Sequence, residues 1–122
     1  MELLTNIIRR TIKKFGSAFE GVLAGVRYDR SILIQITLAL IALVFFITIG
    51  ISAIEWLFVL SAVFCVLITE FLNSAVEDIC DLLVKEYSLH VKEIKDIAAA
   101  AVLFAAIYAS LVGIIIIYGR FV

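Results

Sequence analysis

The sequence has no proline, a single histidine and two cysteines, and only 17% of its 122 residues are charged. Each shortage excludes something. Two cysteines cannot build a disulfide scaffold. One histidine, His90, excludes a multi-histidine zinc site and is expected in a surface loop. A disordered chain needs high charge and low hydrophobicity, whereas 65% of this one is hydrophobic and its mean hydropathy is +1.20. A typical soluble domain is about half apolar and about 25% charged. A chain of this size has too much surface to hide so many apolar side chains from water. Residues 1–122 therefore read as one small membrane domain.

Net charge is −1, and the positions of the charges say more than their sum. Of ten basic residues, six lie in the first thirty: Arg9, Arg10, Lys13, Lys14, Arg27 and Arg30. Lys85, Lys92 and Lys95 form a second group, and only Arg120 stands outside both. These are too few and too scattered for a nucleic-acid groove. They suit a membrane protein with a preferred side.

Two uncharged runs stand out, 24 residues from Ser31 to Ile54 and 23 from Ile97 to Gly119. About 20 helical residues cross a hydrocarbon core about 30 Å thick. Lipid offers no hydrogen bonds, so spanning segments of this kind are helices. The middle stretch is less ordinary. Trp56–Thr69 is uncharged, then Glu70, Asn73, Glu77, Asp78 and Asp81 enter while the apolar period continues. The pattern predicts helices over about 31–52, 54–85 and 95–119. The middle one begins in lipid and ends in water. Residues 1–28 predict an amphipathic surface helix, with Leu4, Ile8, Ile12, Phe15 and Phe19 on one stripe. A signal peptide is not expected, because Leu3–Ile8 is too short and the basic residues follow it.

The basic groups place the N-terminus and the 85–95 connection on the cytoplasmic side of the plasma (inner) membrane and the C-terminus outside. Trp56, Tyr118 and Phe121 would form an outer aromatic belt. Ala101, Ala105, Ala109 and Gly113 recur every four residues, a spacing that lets helices approach closely in lipid. Three spanning helices make a small bundle, which oligomerisation would complete.

The middle helix carries the candidate chemistry. At about 100° per residue, with Glu70 at zero, Asn73 falls near −60°, Glu77 near −20°, Asp81 near +20° and Ser74 near +40°. Asp78 is offset near +80° and reads as a solvated acid. Carboxylates sharing a stripe repel unless a cation sits among them or one stays protonated. A hard cation such as Mg²⁺ prefers such oxygens. One reading is a metal site at the membrane face; the other is a helix end whose acids meet water. The charge of Glu70, directly after 14 uncharged residues, favours function. Lys95 and Asp96 abut the last apolar run, where snorkelling and helix capping would also explain them. Gly16-Ser-Ala-Phe-Glu-Gly21 has P-loop glycine spacing but is followed by Val22 and Leu23, not Lys and Ser or Thr. Cys65 and Cys80 read as apolar fillers or free thiols.

The run Glu70-Phe-Leu-Asn73-Ser74-Ala75-Val76-Glu77-x-x-x-Asp81 resembles the signature of the bacterial diacylglycerol kinase and undecaprenol kinase family. Glu86-Tyr87, Lys95-Asp96-x-x-Ala-Ala-Ala101-Val102-Leu103 and Phe19-Glu20-Gly21 continue it, over roughly residues 8–118. The resemblance implies an all-α integral-membrane homotrimer, with three spanning helices and a surface helix per subunit. It implies transfer of the γ-phosphate of ATP, with Mg²⁺, to a lipid alcohol. By the same resemblance Glu70 would be the general base and Asn73 would help position that base or the phosphate. Glu77 and Asp29 would hold the metal. Arg10, Asp29, Glu77, Asp81, Lys95 and Asp96 would line the nucleotide site.

The chain also departs from the pattern. Asp29 stands where the family usually has Glu, Leu33 where a basic residue is frequent, and Gln35 where Gram-positive members often have His. Ala100 falls where Gly or another small residue is frequent. Ile54-Glu-Trp-Leu-Phe58 looks more like the undecaprenol branch than the diacylglycerol branch. The alternatives are diacylglycerol as the acceptor, and a non-catalytic membrane protein that carries cations. A site shared between subunits is also expected, since three helices leave little room for a closed one.

Overall fold

The computed structural model describes residues 1–122 as four helices and no strand: α1 (Glu2–Tyr28), α2 (Arg30–Ile49), α3 (Ala53–Leu83) and α4 (Leu89–Phe121). Helices α2, α3 and α4 are each long and apolar enough to cross a membrane. The 31 residues of α3 reach about 46 Å at 1.5 Å each, beyond a hydrocarbon core of about 30 Å. One end of it therefore has length to leave the lipid. Helix α1 buries no residue, and its stripe of Leu4, Ile8, Ile12, Phe15 and Phe19 stands exposed. A membrane interface is the natural cover for such a stripe.

The helix ends have local causes. Asp29 alone separates α1 from α2, in an extended conformation with φ −118° and ψ 111°. Its Oδ1 accepts from the backbone N–H of Ser31 at 2.8 Å and of Ile32 at 3.4 Å, so it caps α2. Gly50 ends α2 with φ 70°, a conformation that favours glycine. Helix α2 thus stops at Ile49, short of the expected residue 52. Ser52 and Glu55 form a reciprocal capping box at the start of α3, with bonds of 3.2 and 3.0 Å.

The start of α4 corrects the sequence reading. Ser88 Oγ accepts from Val91 N at 3.4 Å and starts the helix at Leu89, not near residue 95. His90 is therefore in the first helical turn rather than a loop. Asp96 lies inside the helix and caps nothing; it pairs with Lys92. The connection between α3 and α4 shrinks to residues 84–88.

Only 11 of 122 residues are buried, which fits a chain whose outer faces meet lipid or other copies. Phe46, Val59, Ala62, Val112 and Ile116 form the core, bringing α2, α3 and α4 together near the α2–α3 turn. Trp56 packs half-buried against this core, whereas Tyr118 and Phe121 are exposed as an aromatic belt requires. The small-residue row on α4 is used in part. Ala105 is buried and Ala109 half-buried, but Ala101 is exposed and a Cβ on Gly113 would meet nothing within 4 Å.

Glycine is required at one packing point. A Cβ on Gly25 would sit 2.6 Å from Phe71 Cε1 and 3.0 Å from Ile32 Cδ1. The end of α1 approaches α3 that closely, beside the functional stripe. Gly25→Leu should destabilise the protein by about 1–3 kcal/mol through overpacking. A lowered Tm in detergent would show it; an unchanged Tm would mean that α1 does not dock there.

Candidate active site

The C-terminal half of α3 buries three polar side chains: Glu70 at 5% exposure, Asn73 at 9% and Ser74 at 8%. No other polar residue of the chain is buried. A helical turn of 3.6 residues brings all three to one face. Asn73 Nδ2 donates to Glu77 Oε1 at 3.2 Å. The opposite atom, Asn73 Oδ1, is buried and accepts nothing. An unmet buried acceptor costs about 1–3 kcal/mol, so this oxygen is poised for a donor or ion from outside the chain.

Asp29 reaches the same place from the α1–α2 junction. While Oδ1 caps α2, Oδ2 accepts a hydrogen bond from Ser74 Oγ. Ser74 thereby fastens the junction to α3 and fixes the plane of the Asp29 carboxylate. Asp29 and Ser74 also line a hollow of about 340 Å³ with Gly25 and Asp78. Asp78 is exposed, as expected of a solvated acid.

Farther along α3, Asp81 pairs with Lys95 of α4 at 2.6 Å. Lys92 pairs with Asp96 at 2.7 Å, both exposed. Asp81, Lys85, Lys92 and Lys95 line a second hollow of about 330 Å³. Exposed ion pairs contribute about 0–1 kcal/mol, so these lysines can exchange partners readily for phosphate oxygens. From Glu70 to Asp81 the stripe runs about 16 Å. It passes from a buried carboxylate to an exposed set of lysines. Arg10 does not join it. It is exposed on α1, fifteen residues before Gly25, or about 22 Å along the helix.

The donor set suits one kind of metal. No cluster of three His, Cys, Asp or Glu side chains is assembled. Mg²⁺ commonly takes one or two protein carboxylates and completes its shell with water and substrate phosphates. Exposed Glu77, Asp29 and the unmet Asn73 oxygen fit that requirement, and a closed all-protein cage is not formed.

Comparison with known proteins decides the family. The family model described as prokaryotic diacylglycerol kinase matches residues 16–117. The chain belongs to that family. It is 31% identical over 112 residues to the diacylglycerol kinase of Escherichia coli strain K12, covering 92% of each chain. The same figures hold for the diacylglycerol kinase of Shigella flexneri. It is 28% identical over 111 residues to the undecaprenol kinase of Bacillus subtilis strain 168, covering 91% of this chain and 90% of that one. The family expected from the Glu70–Asp81 run is correct.

Within this family member, sequence reasoning left two connections unfound. The helical period places Ser74 on the stripe but shows no partner for it, because that partner is forty-five residues away. The capping role of Asp29 had a local signal: an Asp directly before an apolar helix is a favoured N-cap.

Proposed function

We propose that the chain transfers the γ-phosphate of ATP to a lipid alcohol at the cytoplasmic face of the plasma membrane, with undecaprenol favoured over diacylglycerol. As a member of a lipid-kinase family the chain is an enzyme, which disfavours the cation-carrier reading. The observation that carries the site assignment is the buried Glu70, at the lipid end of a stripe that ends in exposed lysines. That polarity suits a reaction between a lipid hydroxyl and a water-borne nucleotide.

In this reading Glu70 accepts the hydroxyl proton as the lipid oxygen bonds to the γ-phosphorus. The bond from that phosphorus to the β-bridging oxygen breaks, and ADP leaves. Asn73 helps position the base or the phosphate and holds Glu77 through its amide. Glu77 and Asp29 would hold Mg²⁺, which when bound would offset phosphate charge. Lys95 exchanges Asp81 for phosphate oxygens, and Asp96 completes the nucleotide site; Arg10, far along α1, stays outside it in a single chain. Phosphoryl transfer asks chiefly for positioning and charge neutralisation, and these residue types provide both. The family resemblance supports a homotrimer in the membrane, and the apolar faces left open by a single chain leave surface for other copies or lipid. With the basic groups inward, the N-terminus and the site face the cytoplasm.

The Ile54–Phe58 stretch supports undecaprenol; identities of 31% and 28% do not separate the branches. The test is labelled phosphate transfer from ATP and Mg²⁺ in micelles, offering undecaprenol and diacylglycerol in parallel. Faster transfer to undecaprenol is expected. Faster transfer to diacylglycerol would overturn the preference, and transfer to neither would overturn the reaction.

A further inference from the structure

One cavity has an α3 wall that ends at Leu67, three residues before Glu70. It is a hollow of about 250 Å³ among α2, α3 and α4. Its α3 wall is Val63, Val66 and Leu67. On the helical projection these fall near +20°, −40° and +60° from Glu70, and about 4.5–10.5 Å from it toward the outer turn. The hollow is therefore in register with the proposed base. Small side chains open it: Ala39 and Ala42 from α2, with Ala109 from α4. Two polar residues line it, Gln35 and Ser110, and Ser110 Oγ donates to the Ala106 carbonyl at 2.8 Å. The Gln35 amide is left as the polar group for an incoming molecule.

We propose that this hollow receives the first segment of a single-chain isoprenoid alcohol, with Gln35 orienting its hydroxyl toward Glu70. The proposal rests on the lipid-kinase reading and names its acceptor. If a methylene fills about as much space as a water, ~30 Å³, the hollow holds about eight carbons. That is room for one branched chain leaving the hydroxyl, between one and two five-carbon isoprene units. Diacylglycerol has two chains diverging beside its hydroxyl. Only one of them could enter, and the other would be left against the helix surface. Ala39 and Ala42 are thus specificity-determining residues, because larger side chains there would close the hollow.

The experiment uses the full chain in micelles, with undecaprenol, diacylglycerol and a five-carbon prenol as acceptors. The prenol is too short to reach Ala42. Ala42→Phe should lower kcat/KM for undecaprenol at least about tenfold, the scale on which a hydrophobic pocket rejects the wrong volume. The KM for ATP and transfer to the five-carbon prenol should be unchanged. Leu67→Ala widens the hollow and should raise diacylglycerol use relative to undecaprenol, which misfolding cannot mimic. Unchanged undecaprenol transfer in Ala42→Phe would overturn the proposal. So would equal losses for undecaprenol and the short prenol, or an unchanged acceptor ratio in Leu67→Ala. Failure of the kinase reading is a separate result: the unsubstituted chain would then phosphorylate none of the three alcohols.

Discussion

Glu70→Gln is expected to lower phosphoryl transfer by about 10²–10⁴-fold, the usual contribution of a positioned general base. The substitution preserves shape and hydrogen-bonding length, and removes only the capacity to take the hydroxyl proton. Glu70 is buried on the same helix face as Asn73 and Ser74, which hold the carboxylates of Glu77 and Asp29. Loss of its charge relieves repulsion between carboxylates rather than stranding a partner. The variant should therefore fold with an unchanged or higher Tm and retain its KM for ATP. A kcat loss with intact ATP binding is the signature of an interaction made in the transition state. Wild-type turnover in Glu70→Gln would move the base to another residue. Glu77→Ala should behave differently, raising the Mg²⁺ concentration needed for half-maximal rate, because Glu77 is exposed at the end of the stripe proposed to meet the nucleotide.

The sequence carried much of this arrangement in readable form. The stripe from Glu70 to Asp81 follows from a 3.6-residue period, and the three spans follow from uncharged runs. Local rules of this kind act within one helix, so one sequence displays them. The beginning of α4 was missed because Val91–Asp96 looks like a charged connection, while a single Ser88 suffices to start the helix. The charges then sit on the wall of α4, and Lys95 meets Asp81 across the helix pair. Contacts between segments distant in sequence were the illegible part. The bond from Ser74 to Asp29, the approach of Gly25 to Phe71 and the hollow among α2, α3 and α4 all depend on how helices cross. Gln35 shows the limit well. As a residue in an apolar run it looked only like a departure from a family pattern. Its meaning comes from the wall it shares with Leu67.

Two substitutions at Asp29 should separate its jobs. The carboxylate caps α2 through Oδ1, receives Ser74 through Oδ2, and contributes negative charge to the proposed metal site. Asparagine caps a helix about as well as aspartate, whereas alanine costs about 0.5–2 kcal/mol there. Asp29→Asn should thus keep its Tm but need more Mg²⁺ for half-maximal transfer. Asp29→Ala should lose both stability and metal response. Asp29→Glu, the residue more usual in the family, restores reach toward a metal but moves its oxygens away from the Ser31 and Ile32 N–H groups. It should therefore lower Tm by a capping-sized amount whatever it does to the rate. A metal response in Asp29→Asn identical to the original chain's would leave Asp29 as a cap and tether alone. The metal role would then pass to Glu77 and the open oxygen of Asn73.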